Sequence, residues 1–321
     1  MNQGYKTNLQ RAIRAIRSAK KVMVVSHVNP DGDTIGCQLA LGLACLQMGK
    51  KVLLLSPHGM PTRYQFLPGS ELVLSESDET ADIAIAVDCG SRGQLGTAAK
   101  NYFKAKKTVQ IDHHDFGASF GGIQLMDLEA SAVGEIVYDL LRAMKIELTP
   151  AIAMCLLTSV IIDTGAFRFS NIRAKTFEVC SRLIKTGVDL RYLIEESYWT
   201  KSRSTLKLSS HALFSAEYSD DGSVVWSVIY QKDMKKFGAV ISDADAVADD
   251  LRSVQGVKIA AVLRETEGGK FRASLRSKHG IHVGSLAEEF GGGGHHNSAG
   301  CLIKKKDFPR LISRLKKLAE I

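Results

Sequence analysis

Short segments rich in aspartate and histidine are the parts of this sequence that could do chemistry. Carboxylates outnumber imidazoles in them, and no cysteine thiolate is suitably placed beside them. Oxygen-rich donor sets with some imidazole suit Mn²⁺ or Mg²⁺ better than a structural zinc ion. The four segments are HVNPDGD with His27, Asp31 and Asp33, VDCGS with Asp88, DHHD at 112–115, and IIDTG with Asp163.

The spacing of the first two aspartates suggests how many ions such a site would take. Only Gly32 separates Asp31 from Asp33, so a tight turn can aim the two carboxylates at different points. Two ions about 3.5–4 Å apart can clamp a phosphoryl group and neutralise its leaving oxygen. A calcium loop of the EF-hand type is excluded, because Thr34 and Ala40 stand where that loop needs glycine and glutamate. A structural alternative stays open, since an aspartate after a strand is often a helix cap.

Alternating strands and helices must position these segments. Apolar runs predict strands at 22–26, 51–55, 82–87 and 108–112, and helices at 5–19, 34–48, 131–144, 150–162 and 174–186. This alternation is typical of an α/β domain with a doubly wound parallel sheet. Ligands bind beyond the carboxyl ends of the strands in such sheets. Three of the four segments follow a predicted strand, and Asp163 follows an apolar helix.

The pattern changes past Ser219, where hairpin-type turns join shorter strands. Strands are predicted at 214–219, 223–230, 258–265, 270–277 and 299–304, with a helix at 282–290 and another at the C-terminus. These elements predict a smaller α+β domain. We therefore expect a catalytic domain over 1–187, a helical linker over 188–212 and a substrate-binding domain over 213–321.

Length and composition limit the class of protein. A chain of 321 residues, 45% hydrophobic and 24% charged, is expected to fold as two domains. It has no apolar run of ~20 residues and no apolar signal core, so we expect a cytoplasmic protein without a membrane partner. Six cysteines without CxxC spacing predict free thiols. The net charge of +8 favours an anionic partner such as phosphate or nucleic acid.

The run GGGGHHN at 291–297 is the second candidate binding segment. A flexible linker is one interpretation. The other is a loop whose glycines let backbone N–H groups approach a phosphate or ribose closely. A nucleotide P-loop is excluded, because no Gly-Lys-Ser/Thr follows.

Arginines near these segments are candidate anchors for a terminal phosphate. A guanidinium group matches phosphate geometry better than an ammonium group does. Arg276, in the strand FRASLRSK, is the preferred candidate. Arg264 could equally be an exposed strand residue, and Arg168 could equally belong to a surface turn.

The motifs together resemble those of the DHH phosphoesterases, a family named for its Asp-His-His triplet. HVNPDGDTIG, VDCGS, DHHD and IIDTGAF resemble its four ordered motifs, and GGGGHHNSAG resembles the glycine-rich signature of the DHH-associated domain. They span roughly residues 20 to 303, and the layout resembles the nanoRNase and phosphoadenosine phosphatase branch. Two departures are Cys37, where serine is common, and Ser298, which replaces an alanine. Neither position is a metal ligand in the family.

The resemblance implies a role for each candidate residue. His27 and Asp31 would hold one metal ion, Asp33 and His113 the second, with Asp88 bridging both. Asp163 would complete the second site. His114 would face the scissile phosphate, and Asp112 would orient a histidine. The implied substrate-binding residues are Arg276, Arg264, Arg168, Gly293, Gly294, His295 and His296.

The resemblance also implies an activity. Two divalent ions, Mn²⁺ with Mg²⁺ or Co²⁺ as alternatives, would serve an active site in the cleft between the domains. The substrates would be very short RNA oligonucleotides, cleaved to mononucleotides, and 3′-phosphoadenosine 5′-phosphate, converted to AMP. One alternative is a phosphodiesterase for linear or cyclic dinucleotides. Another is a non-catalytic module that binds nucleic-acid ends, and a homodimer is left open.

Overall fold

The computed structural model describes residues 3–114, 119–244, 246–266, 268–278 and 280–320, without the side chains of Ser242 and His295. The chain divides into two compact units, Met1–Thr200 and Lys201–Ile321. Among the described residues, no helix combines the length and the apolar character that a membrane crossing requires.

A six-stranded parallel sheet forms the centre of the first unit. Its order is β3-β2-β1-β4-β5-β6, so the order reverses between β1 and β4. Ligands bind at such a reversal in doubly wound sheets. The strands are β1 Lys21–Val25, β2 Lys51–Leu55, β3 Val73–Leu74, β4 Ile83–Val87, β5 Lys107–Asp112 and β6 Ile123–Met126.

Helices cover both faces of this sheet, because its strands are apolar on both sides. In β1, Val22 and Val24 pack into one core, whereas Met23 and Val25 pack into the other. The helices are α1 Gln3–Ser18, α2 Gly32–Gln47, α3 Ala99–Lys104, α4 Val133–Ala143, α5 Pro150–Asp163, α6 Ala174–Ile184 and α7 Leu190–Ile194. Single 3₁₀ turns lie at Thr62–Tyr64 and Ser70–Leu72, a longer 3₁₀ segment kinked at Gly96 at Arg92–Ala98, and a π turn at Glu195–Trp199.

Helices α2 and α5 cross at very short range below the carboxyl edge of the sheet. A Cβ atom on Gly36 would lie 2.3 Å from the Cys155 carbonyl oxygen and 3.0 Å from the Ser159 amide nitrogen. Only glycine fits this crossing without a backbone shift. The contact fixes the start of α2 against the middle of α5.

The second unit is built on a mixed six-stranded sheet of order β11-β12-β10-β9-β8-β7. Neighbouring strands are antiparallel except β8 and β9, which are parallel. The strands are β7 Glu217–Tyr218, β8 Val224–Ile229, β9 Ile259–Glu265, β10 Lys270–Ser277, β11 Gly293–His295 and β12 Ser298–Lys304. The helices are α8 Arg203–Phe214, α9 Gln231–Phe237, α10 Val247–Arg252, α11 Val283–Glu289 and α12 Phe308–Ala319, with 3₁₀ turns at Ile241–Ala244 and Lys305–Asp307.

The predicted fold class is confirmed: a doubly wound parallel sheet followed by a smaller α+β unit. Several short elements were not predicted, among them β6, α9 and α10. Part of the predicted glycine loop is a strand, since β11 pairs along β12 through Gly293 and Gly294.

The predicted linker over 188–212 is shared between the two units. Leu193 and Ile194 pack on the core of the first unit. Leu208 and Ala212 belong to a core cluster of the second. Each compact unit therefore includes part of the predicted linker. The predicted limits of the functional domains stay a prediction.

Candidate metal centre

His27 lies just beyond β1, at the carboxyl edge of the parallel sheet. Its Nδ1 donates to the Val28 carbonyl oxygen at 2.7 Å. The other ring nitrogen, Nε2, lies 3.6 Å from Asp88 Oδ2. A histidine that binds a metal is commonly oriented by such a bond from its second nitrogen. The ring of His27 is therefore held with Nε2 toward the carboxylates.

Asp31 is the N-cap of α2, as the structural alternative for this residue predicted. Its Oδ1 accepts from the amides of Asp33 and Thr34, at 3.0 and 3.1 Å. The Thr34 hydroxyl lies 2.6 Å from Asp88 Oδ2 and donates to it. Capping uses one carboxylate oxygen and leaves Oδ2 available to an ion, so the two roles are compatible.

Asp33 lies in the first turn of α2 and is buried. Its Oδ1 accepts from Ser159 Oγ at 2.6 Å and from Cys37 Sγ at 3.3 Å. Its Oδ2 accepts from the Val133 amide at 2.8 Å. Gly134 permits this arrangement, because a Cβ atom there would lie 2.1 Å from Ser159 Oγ. Three helices thus meet around one carboxylate.

Asp88 follows β4 with a left-handed backbone, φ 57°, and is 3% exposed. Its amide donates to the Ile111 carbonyl oxygen at 2.9 Å, which holds this conformation in place. A left-handed backbone in a residue other than glycine is uncommon and often marks a functional site. It places the Asp88 side chain between His27 and His114, 3.6 Å from a nitrogen of each.

The Asp-His-His triplet follows β5, the neighbour of β4. Asp112 is buried, and its Oδ1 accepts from the His113 amide at 2.8 Å and from His114 Nδ1 at 2.7 Å. His113 Nδ1 donates to the Ala130 carbonyl oxygen at 2.8 Å. His113 Nε2 lies 3.6 Å from Asp163 Oδ2. Asp112 therefore orients His114, and a backbone carbonyl orients His113.

The structure brings the predicted metal ligands of the first unit into three overlapping groups. In each group, one ligand atom per residue lies within 4.8 Å of the others. Asp88 belongs to two groups and His113 to two, so the groups form one continuous cluster. The groups are His27 with Asp31 and Asp88, Asp33 with His113 and Asp163, and Asp88 with His113 and His114.

The donor set fits two divalent cations. Asp112 Oδ2 and Asp163 Oδ2 are buried, and neither accepts a hydrogen bond from the described residues. Asp163 Oδ2 faces His113, whereas Asp112 uses its other oxygen for the triplet. The four carboxylates of the three groups would repel each other at this spacing without positive charge between them, and the three imidazoles can complete the coordination of cations placed there.

The pKa values reflect this concentration of charge. Burial opposes protonation of His27 and His113, but nearby carboxylates outweigh it and raise their pKa values to about 9 and about 10. Burial raises the pKa of Asp163 to about 7 and that of Asp33 well above its usual range. The pKa of Asp88 is lowered, because the histidines around it outweigh its burial. Protons on these side chains therefore supply the positive charge that metal ions would otherwise bring to the cluster.

Arg168 follows Asp163 in an unusual turn. Ala166 and Phe167 both have left-handed backbones, with φ of 55° and 63°. Arg168 Nε donates to the Gly165 carbonyl oxygen at 2.5 Å, and its guanidinium lies 5.9 Å from the ring centre of Tyr198. The side chain is exposed. Its predicted part in substrate binding stays a prediction.

Arg264 is placed differently from the expectation of a substrate anchor. It is 2% exposed, on the face of β9 that packs toward the second unit's own helices. Its guanidinium donates to the Ile241 carbonyl oxygen at 3.1 Å and to Ser274 Oγ at 2.5 Å. Burial and these internal partners give Arg264 a structural role, and its predicted part in substrate binding stays a prediction.

Arg276 keeps part of its side chain, 20%, accessible to solvent. Its Nε lies 3.4 Å from Asp249 Oδ1, and its Nη1 donates to the Leu275 carbonyl oxygen at 3.1 Å. The ion pair with Asp249, on α10, restricts the guanidinium. Arg276 therefore has the partial exposure that binding a phosphate would require, and its predicted role stays a prediction.

The glycine segment places its residues at the edge of the second sheet. Gly293 and Gly294 pair with β12, and Gly294 has a φ of 145° that favours glycine. The His296 ring lies 4.4 Å from that of His282, measured between ring centres. The side chain of His295 lies outside the described part of the chain, so its predicted contact with substrate stays a prediction.

Sequence reasoning missed the residues that hold the ligands in place. Thr34 and Ser159 donate to Asp88 and Asp33, yet a hydroxyl inside an apolar helix reads as an ordinary core residue. The turn before α4, which contacts His113 and Asp33, carries no ligand type of its own. The run SAVGE leads from this turn into α4 and contains one charged residue, Glu135, which is buried. A lone charge in an otherwise uncharged run was the sequence feature that could have pointed to this turn.

Comparison with known proteins agrees with this geometry. The family model described as the DHH family N-terminal domain matches residues 21–160, and that of the DHHA1 domain matches residues 221–320.

Relatives match nearly the whole chain. The chain is 28% identical to the bifunctional oligoribonuclease and PAP phosphatase NrnA of Thermus thermophilus, over 92% of this chain and 87% of that protein. It is 27% identical to the Bacillus subtilis protein of the same name, over 96% of this chain and 97% of that one. The crystal structure of an exopolyphosphatase-related protein from Bacteroides fragilis has a similar fold, with a TM-score of 0.89, 24% identity and 98% of both chains covered. The chain therefore carries a DHH family N-terminal domain followed by a DHHA1 domain, as its motifs predicted.

Proposed function

We propose that this protein is a phosphoesterase that requires two divalent metal ions. Its substrates are very short RNA oligonucleotides, hydrolysed to mononucleotides, and 3′-phosphoadenosine 5′-phosphate, hydrolysed to AMP. One observation carries the proposal: Asp88 is shared between two groups of ligand side chains at the carboxyl edge of the sheet. The proteins of similar length and sequence, named as oligoribonucleases and PAP phosphatases, support the choice of substrates.

In this proposal the side chains divide into two sets. His27 and Asp31 would hold one ion, Asp33, His113 and Asp163 would hold the other, and Asp88 would contribute to both. When bound, the two ions activate water and neutralise the charge of the phosphoryl group. The oxygen-rich donor set supports Mn²⁺ as the preferred ion, with Mg²⁺ and Co²⁺ as alternatives.

His114 is the proposed donor to the scissile phosphate. Its Nδ1 is bonded to Asp112, so the ring is held at a fixed angle beside Asp88. A proton on Nε2 can then be donated to a phosphate oxygen as negative charge develops there. Burial opposes protonation of His114, but Asp112, which accepts the proton of Nδ1, and Asp88 together raise its pKa, which favours the imidazolium form that carries a second proton on Nε2.

The second unit is proposed to recognise the part of the substrate away from the reacting phosphate. Arg276 supplies a guanidinium group held by Asp249. The glycine segment supplies backbone N–H groups without side chains to obstruct an approaching phosphate or ribose. We propose that His295 and His296 of this unit, and Arg168 of the first unit, also contact the substrate.

We also propose a cytoplasmic location. All six cysteines are free and buried, which suits a reducing compartment.

A panel of substrates tests the activity. Wild-type protein with Mn²⁺ is given RNA dinucleotides, 3′-phosphoadenosine 5′-phosphate, linear and cyclic dinucleotides of adenosine, and polyphosphate, and initial rates are compared. We expect the first two to be hydrolysed fastest. A preference for the linear or cyclic adenosine dinucleotides would instead support the phosphodiesterase alternative, and RNA binding without turnover would support a non-catalytic module.

Asp88→Asn tests the site itself. We expect it to lower kcat by about 10³-fold or more, because the carboxylate shared by both ions contributes several kcal/mol to stabilising charge in the transition state. Asp82→Asn is the matched control, since Asp82 directly precedes β4 at the opposite end of the strand and pairs with Lys106. The proposal is wrong if wild type hydrolyses no phosphoester with Mn²⁺, or if Asp88→Asn retains its activity.

A further inference from the structure

The turn at residues 130–133, between β6 and α4, contacts two of the proposed metal ligands through its backbone. The Ala130 carbonyl oxygen accepts from His113 Nδ1 at 2.8 Å. The Val133 amide donates to Asp33 Oδ2 at 2.8 Å. The first bond keeps the proton of His113 on Nδ1, and the second fixes the direction of the Asp33 carboxylate. Movement of this turn would therefore misplace both ligands at once.

Ser131, in the middle of this turn, is held from two sides. Its carbonyl oxygen accepts from Asn171 Nδ2 at 2.9 Å, and Asn171 Nδ2 also donates to the Asp163 carbonyl oxygen at 3.1 Å. Its hydroxyl donates to Glu135 Oε1 at 2.5 Å. The turn is thus linked to a third ligand residue, Asp163, and to a glutamate one helical turn away.

Glu135 is completely buried and belongs to none of the three ligand groups found among the described residues. Besides Ser131, its Oε1 accepts from Thr176 Oγ1 at 2.7 Å. Its Oε2 accepts from Arg173 Nη2 at 2.8 Å. Arg173 and Thr176 belong to the start of α6, so this carboxylate joins the turn, α4 and α6.

The Glu135 carboxylate is buried, whereas 27% of the Arg173 side chain is exposed. Burying a charged group in this way contributes little to stability alone, since apolar side chains of similar volume stabilise a core at least as well. A fully bonded polar network does specify one geometry, because every alternative leaves a buried group unbonded. Among the described residues, the hydrogen bonds to the Glu135 carboxylate come from Ser131 in the turn and from Arg173 and Thr176 at the start of α6. The network therefore defines where Ala130 and Val133 lie.

We propose that Glu135 is a positioning residue of the metal centre. Its carboxylate fixes the turn at 130–133, and through the turn it orients His113 Nε2 and the Asp33 carboxylate toward the same ion. The inference rests on the proposed metal centre and adds to it a residue that never contacts metal or substrate.

Glu135→Gln tests this role, because it keeps the shape of the side chain and removes its charge. Binding of Mn²⁺ is measured without substrate, from the loss of the electron paramagnetic resonance signal of free Mn²⁺. We expect the dissociation constant of one of the two ions to rise about 10- to 100-fold, as for other residues that orient metal ligands. The melting temperature of metal-free protein is measured alongside.

Glu129→Gln is the matched control. Glu129 contacts the same arginine, with Oε2 3.4 Å from Arg173 Nη1, but its side chain is 87% exposed. We expect its Mn²⁺ affinity to equal that of wild type. Equal affinities in wild type and Glu135→Gln would overturn the positioning role, even if the variant melts at a lower temperature.

Asn171→Ala decides the question if Glu135→Gln fails to fold. Asn171 is exposed, and its side chain links Ser131 to Asp163. Loss of this link should weaken Mn²⁺ binding about fivefold, and unchanged binding would overturn the proposal. Failure of the proposed function can be told apart from failure of the positioning role, because in the first case wild type itself would bind no Mn²⁺ at this site.

Discussion

The two units prepare their functional groups by different physical means. In the first unit the candidate ligands are mostly buried, and backbone or hydroxyl groups bond the atoms that do not face the cluster. In the second unit Arg276 is partly exposed and forms an ion pair with Asp249, and the glycine strand β11 lies at the edge of the same sheet, one strand beyond β12. In the proposed function, burial and charge would thus define the chemistry, whereas backbone shape and an accessible guanidinium would define recognition. Changes in the first unit should act on metal binding, and changes in the second on substrate binding.

The largest difference between the two units is expected in the effect of their side chains on the pH dependence of Mn²⁺ binding. The metal-free site holds protons on His27 and His113, whose pKa values are raised to about 9 and about 10. A histidine must lose its proton to bind a metal ion. Affinity for Mn²⁺ should therefore rise with pH, by about tenfold per unit for each proton released between pH 6.5 and 8.5.

Calorimetry in two buffers of different ionisation enthalpy measures both the affinity and the number of protons released. His282→Gln, in the second unit, is the control and should show the same pH profile as wild type. A flat profile without proton release would contradict the view that protons occupy the cation positions of the first unit.

A smaller effect, on substrate binding alone, is expected at Arg276. Lysine keeps the charge at this position but cannot bind a phosphate with two parallel hydrogen bonds. Arg276→Lys should raise KM about tenfold and change kcat less than about twofold. Steady-state kinetics at saturating Mn²⁺ measures both.

Arg272→Lys is the comparison, because Arg272 lies on the same face of β10. It should leave KM close to the wild-type value. A fall in kcat for Arg276→Lys that matches the change in KM would place Arg276 in the chemical step and break the division between the units.

The smallest effect on catalysis is expected at Gly292. A Cβ atom there would lie 2.1 Å from the Gly300 carbonyl oxygen. Gly292→Ala should lower the free energy of unfolding of the second unit by about 1–3 kcal/mol, with unchanged Mn²⁺ affinity. Urea unfolding measures the stability. Gly268→Ala, where no described atom lies within 4 Å of the Cβ position, should stay within about 0.5 kcal/mol of wild type. Equal stability of the two variants would show that the chain before β11 can move away from Gly300 and avoid the contact.

The fold could be predicted because it depends on local patterns. Apolar strands that alternate with helices specify a parallel sheet, and the carboxyl ends of β1, β4 and β5 then bring His27, Asp88 and His113 to one edge. The short strand β6 and the helix α10 were missed, because four to six residues carry too little periodicity to be recognised.

Other features depend on long-range packing. Arg264 has the residue type of a phosphate anchor, but its burial depends on Ile241 and Ser274, which the strand pattern of β9 does not reveal. The bond from Ser159 to Asp33 joins residues 126 positions apart. Such contacts become visible only when the helices are packed, so the candidate ligands could be named from the sequence and the residues that hold them could not.

The crossing of α2, α4 and α5 has a consequence for how this sequence can change. Gly36 and Gly134 enclose Ser159 from two sides, and each would bring a Cβ atom into contact distance of it. A methyl group on Gly134 would push away the hydroxyl that bonds Asp33, and one on Gly36 would displace the backbone of α5 at Cys155 and Ser159. The constraint that catalysis places on this chain therefore extends to two residues without functional side chains, and redesign of the site would have to begin from its helix crossing.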